Sequence, residues 1–376
     1  MNEKYMKRAI ELALMAKGRT SPNPMVGAVI IKGGKIVGEG YHKKAGTPHA
    51  EINALDAASK SAKDGIMYIN LEPCCHQGRT PPCTKSLIKS GLKKIVVGMI
   101  DPNPLVSGKG IKELKDAGIQ VSVGLLEKEC RKINEVYIKY ITTGTPFVLL
   151  KVAMSLDGKI ATHTKDSKWI TGKPSRDRVH QLRDEVDAVM VGIGTVLQDD
   201  PNLTVSLKKK KVNDPIRIIV DSSLRIPLDA NVFKSPHNPP FRKGGRGGIR
   251  VIIAAAKRAD DKKVSALKEK GVDVLIIEGN EERVNLLKLM EDLGKREITS
   301  IMIEGGSELN SSAIEAGIVD KVIFFIAPRI IGGKDGISSV GGRGIVKLED
   351  SLNIRDVNVD RIGSDIVVEG YLGKNF

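Results

Sequence analysis

Short runs of branched apolar residues alternate with amphipathic stretches along nearly the whole chain. Met6, Ile10, Ala13 and Leu14 share one face of residues 1–17, with Glu3, Lys7 and Glu11 elsewhere, a spacing that predicts an amphipathic helix. Residues 25–31 and 35–40 are apolar runs joined by Lys32-Gly33-Gly34, which predicts a hairpin because glycine reaches the backbone angles of a tight turn. The pattern then predicts a helix over 49–62, a strand over 66–71, a helix over 84–90 and a strand over 94–98. Residues 110–117 and 126–140 read as helices, with 120–123 between them.

Thr142-Thr143-Gly144-Thr145-Pro146 interrupts this pattern with turn-forming residues and no apolar periodicity, so a domain boundary is expected there, dividing 1–144 from 145–376. Beyond it, 147–154 is an apolar run suited to a buried parallel strand. Further strands are expected at 188–192, 216–221, 250–254, 274–277, 300–304 and 321–326. Helical stretches separate most of them, which predicts a second α/β domain. Residues 234–248 are rich in Pro, Gly and positive charge and have little to bury; a mobile surface insertion is expected.

Composition narrows the partners. The chain of 376 residues carries 60 Lys plus Arg against 45 Asp plus Glu, a formal net charge of +15. Such an excess favours polyanions: nucleic acid, an anionic membrane or a phosphorylated metabolite. Aromatic residues are only 3%, too few for the stacking platforms of single-strand binders. No run approaches the roughly 20 apolar residues of a membrane span. A phosphorylated small molecule is therefore the expected partner, with neither nucleic acid nor membrane, and a homo-oligomer is expected. The N-terminus lacks the continuous apolar core of a secretory signal. Three of the four cysteines are clustered, which suits a metal site in a reducing, cytoplasmic compartment better than a disulfide framework.

The cluster itself carries chemistry. His49-Ala-Glu51 is followed by Pro73-Cys74 and then Cys83. One imidazole and two thiolates suit tetrahedral zinc with its fourth position left to water. Water bound there falls to a pKa of about 7. Glu51, two residues past the histidine, is placed to carry protons between that water and a leaving amine, the H-x-E…P-C pattern of zinc deaminases acting on nucleobases. Cys75 adjoins Cys74, and the residues alone leave open which of the two binds. Eight residues separate Cys74 from Cys83, where the commoner pattern has two.

The segment Leu71-Glu-Pro-Cys-Cys-His-Gln-Gly-Arg-Thr-Pro-Pro-Cys83 resembles a motif of the bifunctional deaminase/reductases of riboflavin biosynthesis. So do Ser21-Pro-Asn-Pro-Met-Val-Gly27, Asp101-Pro-Asn-Pro104, Lys151-Val-Ala-Met-Ser-Leu-Asp-Gly-Lys159, Ser167-Lys-Trp-Ile-Thr-Gly172, the stretch from Gly192 to Thr204, and Glu304-Gly-Gly306. The resemblance covers nearly the whole chain in order. It implies a cytidine-deaminase-like three-layer domain followed by a dihydrofolate-reductase-like domain, with Zn2+ and NADPH as cofactors. It implies that His49, Cys74 and Cys83 hold zinc and that Glu51 is catalytic. Asn23, His42, His76, Arg79, Asp101 and Asn103 would line the deaminase pocket. In the second domain Lys151, taken to lie at the start of its strand, would be the catalytic cation. Ala153, Trp169, Thr195, Asp199, Ser223, Gly306 and Ser307 would contact NADPH. Ser167, Arg183, Leu203, Ser206 and Glu304 would contact substrate. The family usually has Arg where this chain has Ser206; Lys208 or a neighbour in its lysine run is expected to restore the charge. Two other readings stand beside this one: a deaminase whose reductase half is weak, favoured by Ser206, and a nucleic-acid-binding or editing protein, favoured by the net charge.

Overall fold

The computed structural model describes residues 2–77, 81–208, 212–234, 251–257, 259–279 and 282–373. The chain folds into two compact units that meet in sequence between Gly144 and Thr145.

Unit 1 contains α1 (Glu3–Leu14), β1 (Gly27–Lys32), β2 (Lys35–Tyr41), α2 (Ala50–Ala58), β3 (Ile66–Leu71), α3 (Cys83–Lys89), β4 (Lys94–Met99), α4 (Lys109–Asp116), β5 (Gln120–Val123), α5 (Glu127–Ile133) and α6 (Glu135–Thr143). The sheet order is β2-β1-β3-β4-β5; β1 is antiparallel to both neighbours, and β3, β4 and β5 are parallel. Ala28, Val29, Ile30 and Ile31 are all buried, so both faces of β1 are covered, since successive side chains point to opposite faces.

Glycine sets how closely helix and strand approach. Cβ atoms at Gly38 and Gly40 would collide with the α2 backbone at Ala54, and one at Gly27 with the α1 backbone at Ala9. The predicted helix over 126–140 is broken at Asn134. Its buried amide accepts from the Met25 N–H (2.8 Å) and donates to the Met25 carbonyl (3.1 Å), tying the loop before β1 to the gap between α5 and α6.

Unit 2 contains β6 (Phe147–Ser155), β7 (Lys159–Ala161), α7 (Lys173–Glu185), β8 (Ala188–Gly192), α8 (Ile193–Asp199), β9 (Ile216–Val220), β10 (Val251–Ala255), α9 (Asp261–Glu269), β11 (Asp273–Ile276), α10 (Leu286–Gly294), β12 (Ser300–Ile303), α11 (Ser307–Glu315), β13 (Lys321–Ala327), β14 (Ile337–Ser338), β15 (Arg355–Ile362) and β16 (Asp365–Tyr371). The large sheet runs β11-β10-β9-β8-β12-β6-β13-β16-β15. It is parallel from β11 to β13, and β16 and β15 add antiparallel. From β6 the chain passes to β8, builds outward to β11, and returns to lay β12 in the gap between β8 and β6. Such a reversal opens a crevice beyond the carboxyl ends of the strands, where open α/β sheets bind ligands.

The sequence pattern missed β15 and β16. Most of β15 is exposed, so Arg, Asp and Asn dilute its apolar signal. The expected insertion at 234–248 lies outside the described residues, apart from Lys234.

Candidate active sites

In unit 1, three elements deliver three ligands to one point. His49 caps the N-terminus of α2, Cys74 follows β3, and Cys83 opens α3. His49 Nδ1 lies 3.6 Å from Cys74 Sγ and 3.3 Å from Cys83 Sγ, and the three donor atoms fall within 4.8 Å of one another. Cys75 Sγ instead faces the Leu105 carbonyl at 3.9 Å, which selects Cys74 over its neighbour. A hydrogen bond from Cys83 holds Cys74 down at about 4, while the bond to Cys74 and burial push Cys83 up. Two thiolate charges this close need a cation between them, and two sulfurs plus one imidazole nitrogen are a fitting donor set for zinc. Glu51, in the first turn of α2, is buried, and burial pushes its carboxyl up despite nearby His49.

His49, Cys74 and Glu51 border a cavity of 260 Å³ that also touches Asn23, His42, His76, Asp101 and Asn103. His42 Nδ1 lies 3.3 Å from the Pro48 carbonyl, so that nitrogen carries the proton and Nε2 accepts from the Asn23 amide at 3.1 Å. Asp101 is buried and pushed up to about 6 by loss of water, against hydrogen bonds from the Asn103 N–H (2.9 Å) and Tyr137 hydroxyl (2.9 Å). Arg79 lies outside the described residues.

Sequence reasoning missed Glu72 and Tyr137. Buried Glu72 accepts from the backbone N–H groups of Asp101 (3.2 Å), Gly108 (2.9 Å) and Ile111 (3.1 Å), fixing the loop that carries Asp101 to the end of β3. The sequence signal for Glu72 is an acid two residues before the ligand Cys74, within the Leu71–Cys83 segment. Tyr137 comes from α6, far along the chain, with no local signal.

In unit 2, a cleft of 770 Å³ opens at the carboxyl ends of β8, β12 and β6. Lys151, Ala153, Ser167, Thr195, Asp199 and Glu304 line it, as do Gly306 and Ser307. Buried Glu304 joins two cations: Lys151 Nζ at 3.1 Å, and Arg183 through Nε at 2.6 Å and Nη2 at 3.0 Å. Burial alone would raise the Glu304 carboxyl, but Arg183 and Lys151 hold it down at about 2. The starts of α8 and α11 converge at the cleft, where a Cβ at Gly306 would come within 3.4 Å of Thr195 Oγ1. A cleft of this size with glycine-edged strand ends fits a dinucleotide.

One expectation is corrected here. Lys151 is in the middle of β6, not at its start, which places its ammonium beside Glu304 inside the cleft. The Leu203 side chain is buried in the apolar core with Ile226, on backbone at φ 53°. Trp169 is 63% exposed and is not among the cleft residues; the Arg176 guanidinium lies 4.6 Å from its ring centre. Ser223 follows β9, which β8 separates from β12, and it is exposed away from the lining. Ser206 is exposed and gives its N–H to His180 Nδ1 at 3.1 Å. Lys208 is exposed two residues on, and residues 209–211 lie outside the described set.

A His/Cys/Cys centre with a buried glutamate in one unit, and a dinucleotide-sized cleft beside a Lys–Glu–Arg group in the other, define a two-activity enzyme: a zinc deaminase joined to a pyridine-nucleotide reductase. Comparison with known proteins agrees. Residues 1–99 match the cytidine and deoxycytidylate deaminase zinc-binding region, and residues 146–368 match the RibD C-terminal domain. Riboflavin biosynthesis protein RibD of Aquifex aeolicus is 46% identical over 368 residues, 98% of each chain, and that of Escherichia coli is 38% identical over 97% of this chain and 98% of its own. The solved structure of Acinetobacter baumannii RibD superposes with a TM-score of 0.86 at 36% identity, covering 99% of both chains. A Thermotoga maritima protein described as a diaminohydroxyphosphoribosylaminopyrimidine deaminase/5-amino-6-(5-phosphoribosylamino)uracil reductase gives 0.83 at 37%, covering 99% of this chain and 98% of its own. The chain belongs to the RibD family of riboflavin-biosynthesis deaminase/reductases, which use zinc and NADPH.

Proposed function

We propose that unit 1 hydrolyses the 2-amino group of 2,5-diamino-6-ribosylamino-4(3H)-pyrimidinone 5′-phosphate. Unit 2 then reduces the ribosyl group to ribityl, giving 5-amino-6-ribitylamino-uracil 5′-phosphate. The observation that carries this pairing of activities is the presence, on one chain, of the His49/Cys74/Cys83/Glu51 centre and the Lys151–Glu304–Arg183 cleft.

His49, Cys74 and Cys83 hold zinc, which supplies Lewis acidity that makes water nucleophilic at neutral pH. Glu51 takes the water's proton as oxygen adds to the ring carbon and delivers it to the amine nitrogen, so that the carbon–nitrogen bond breaks with loss of ammonia. The raised proton affinity of its buried carboxyl suits both directions of transfer. The bond to His42 orients the Asn23 amide, leaving its oxygen to accept from the pyrimidine ring. Asp101, Asn103 and His76 complete the pocket, and Arg79 is assigned to the substrate on sequence resemblance alone.

NADPH, held by Ala153, Thr195, Asp199, Gly306 and Ser307, supplies the reducing equivalents of the second step. Glu304 keeps Lys151 in place as a cation, where it balances charge on the sugar oxygen and gives it a proton. Ser167 and Arg183 complete the substrate side. Lys208 supplies the phosphate charge that Ser206 lacks; a Lys208→Ala variant with an unchanged Michaelis constant for the phosphorylated substrate would end that assignment.

The wider setting is proposed on the same footing. The partner is a phosphorylated pyrimidine and neither nucleic acid nor membrane, consistent with low aromatic content and with the lack of any membrane-crossing helix among the described residues. The setting is cytoplasmic. The protein is a homo-oligomer, supported by exposed apolar residues such as Val346, Leu348, Val357 and Val359, and light scattering tests it.

One coupled assay tests the main reading: the diamino ribotide with NADPH, following loss of nicotinamide absorbance. Oxidation that stops when zinc is removed supports both steps in this order. Oxidation only on the deaminated compound places the fault in unit 1. Silence on both removes the reductase assignment and leaves the reading of a deaminase with an inactive second half.

A further inference from the structure

The cleft of unit 2 has a second wall that no motif announces. β7 and β14 form a small antiparallel sheet apart from the main one, joining 159–161 to 337–338. The Ser339 N–H extends it by donating to the Gly158 carbonyl (2.9 Å), and Lys159 Nζ donates to the Gly336 carbonyl (3.1 Å). From there the chain runs on through Val340, Gly341 and Gly342, which border the cleft with Ile160 and Ile337.

This strap is fastened to α11 at several points. Asn310 is fully buried, and its Nδ2 donates to the Ser339 carbonyl at 2.8 Å. The Gly341 N–H donates to the Ser307 carbonyl at 3.1 Å. A Cβ at Gly341 would come 2.7 Å from Ser307 Oγ and 3.2 Å from that residue's carbonyl, and one at Gly342 would run into Ser311 Oγ. Asn310 Oδ1 is buried against Gly305 and has no hydrogen-bond partner among the described residues. A buried amide ordinarily satisfies both ends. Here the orientation is dictated by the Ser339 carbonyl, and Oδ1 goes without.

The two walls complement each other as a dinucleotide requires. One offers the glycines and N–H groups at the start of α11. The other offers Ile160, Ile337 and Val340, apolar side chains that can cover a ring or ribose face while the strap backbone supplies hydrogen bonds. We propose that Asn310 is a positioning residue of the reductase: it locks the strap over 338–342 as the second wall against which NADPH is held. Cofactor affinity, rather than the chemical step, depends on it. The proposal rests on the reading of unit 2 as the NADPH-dependent half.

The test uses the full chain with Asn310→Asp and, separately, Asn310→Ser. The first keeps the shape of the side chain but sets oxygen against the Ser339 carbonyl; the second shortens the side chain so that it no longer reaches that carbonyl, without adding charge. Calorimetry gives the dissociation constant for NADPH, and steady-state assays give its Michaelis constant and kcat on the deaminated substrate. The expected result is a rise of about tenfold in both constants, the loss that an unpaired buried hydrogen-bond partner brings, with kcat at saturating NADPH and the deaminase rate retained. Unchanged NADPH affinity in the variants overturns the proposal, as does a fall in kcat with affinity intact. Should Asn310→Asp fail to fold, Asn310→Ser decides alone. A parent chain that bound no NADPH would overturn the reductase reading and this one with it, which is distinguishable from a parent that binds and variants that bind equally.

Discussion

Glu51 and Glu304 are both buried carboxylates, and their neighbours drive them apart. Burial dominates at Glu51 and raises its proton affinity; at Glu304 burial acts the same way, but Arg183 and Lys151 overcome it. Replacing Glu51 with Gln should therefore cost about 10²–10⁴-fold in deamination. Zinc content and NADPH oxidation on the deaminated substrate should be kept, as metal analysis and the separate reductase assay would show. Glu304 has a folded value of about 2 against an ordinary 4.5. A depressed carboxylate stabilises the fold above the ordinary value, and that contribution is lost as pH falls from about 4.5 toward about 2. Thermal melting of unit 2 should thus weaken over that acid window, and Glu304→Gln should melt lower at neutral pH with a flatter dependence below 4.5; equal slopes in the two proteins would contradict the assignment. At this scale His49, Cys83 and the adjacent Cys74-Cys75 pair were legible as a zinc set because few other patterns share that chemistry, while the choice of Cys74 over Cys75 needed the resemblance and the fold. Tyr137 was not, because its role arises only where α6 meets the Asp101 loop.

Elements place these residues through close backbone approach. His49 and Glu51 ride on the N-terminal turn of α2, and α2 lies on β2 only because Gly38 and Gly40 leave room for Ala54. Gly38→Ala should strain that packing by about 1–3 kcal/mol. It should lower zinc content and deaminase activity together while sparing reduction, as metal analysis, melting and the two assays would report. Most strands and helices were legible from apolar spacing, since each buries its own face. The break at Asn134 was not, because a tertiary bond to Met25 overrides a continuous helical pattern. Nor was the strap over 338–342, whose short, glycine-rich segments gain a structure only from α11 and β7. Lys151 shows the reverse case: the strand was predicted, yet the residue's place within it was misjudged, and its ion pair with Glu304 explains why a lysine stands among the apolar residues of β6.

At the scale of the whole molecule, two chemistries occupy separate units, so they should fail separately. A zinc chelator should abolish deamination and leave NADPH oxidation on the deaminated compound within about twofold of its starting rate; a parallel loss of both activities would show that zinc serves unit 2 as well. The division into α/β halves was visible in the turn-rich stretch around Gly144. The strand order of the second half was not, because apolar runs do not state their neighbours.

That strand order has a consequence for the protein as it is made. Unit 1 is complete by Gly144, and all three zinc ligands precede Cys83 or are Cys83 itself, so a metal-ready half can fold while the rest of the chain is still being made. β6 comes next, but both of its neighbours in the sheet, β12 and β13, are encoded after residue 299. During translation of that long interval β6 has neither permanent partner, and β8 lacks the one that will fill its inner side. Unpaired strand edges template the wrong associations, and distant pairings form slowly. The nascent second half is therefore the stage at which this chain is most exposed to aggregation, and a chain truncated before residue 300 would hold a complete zinc centre beside a sheet that cannot close.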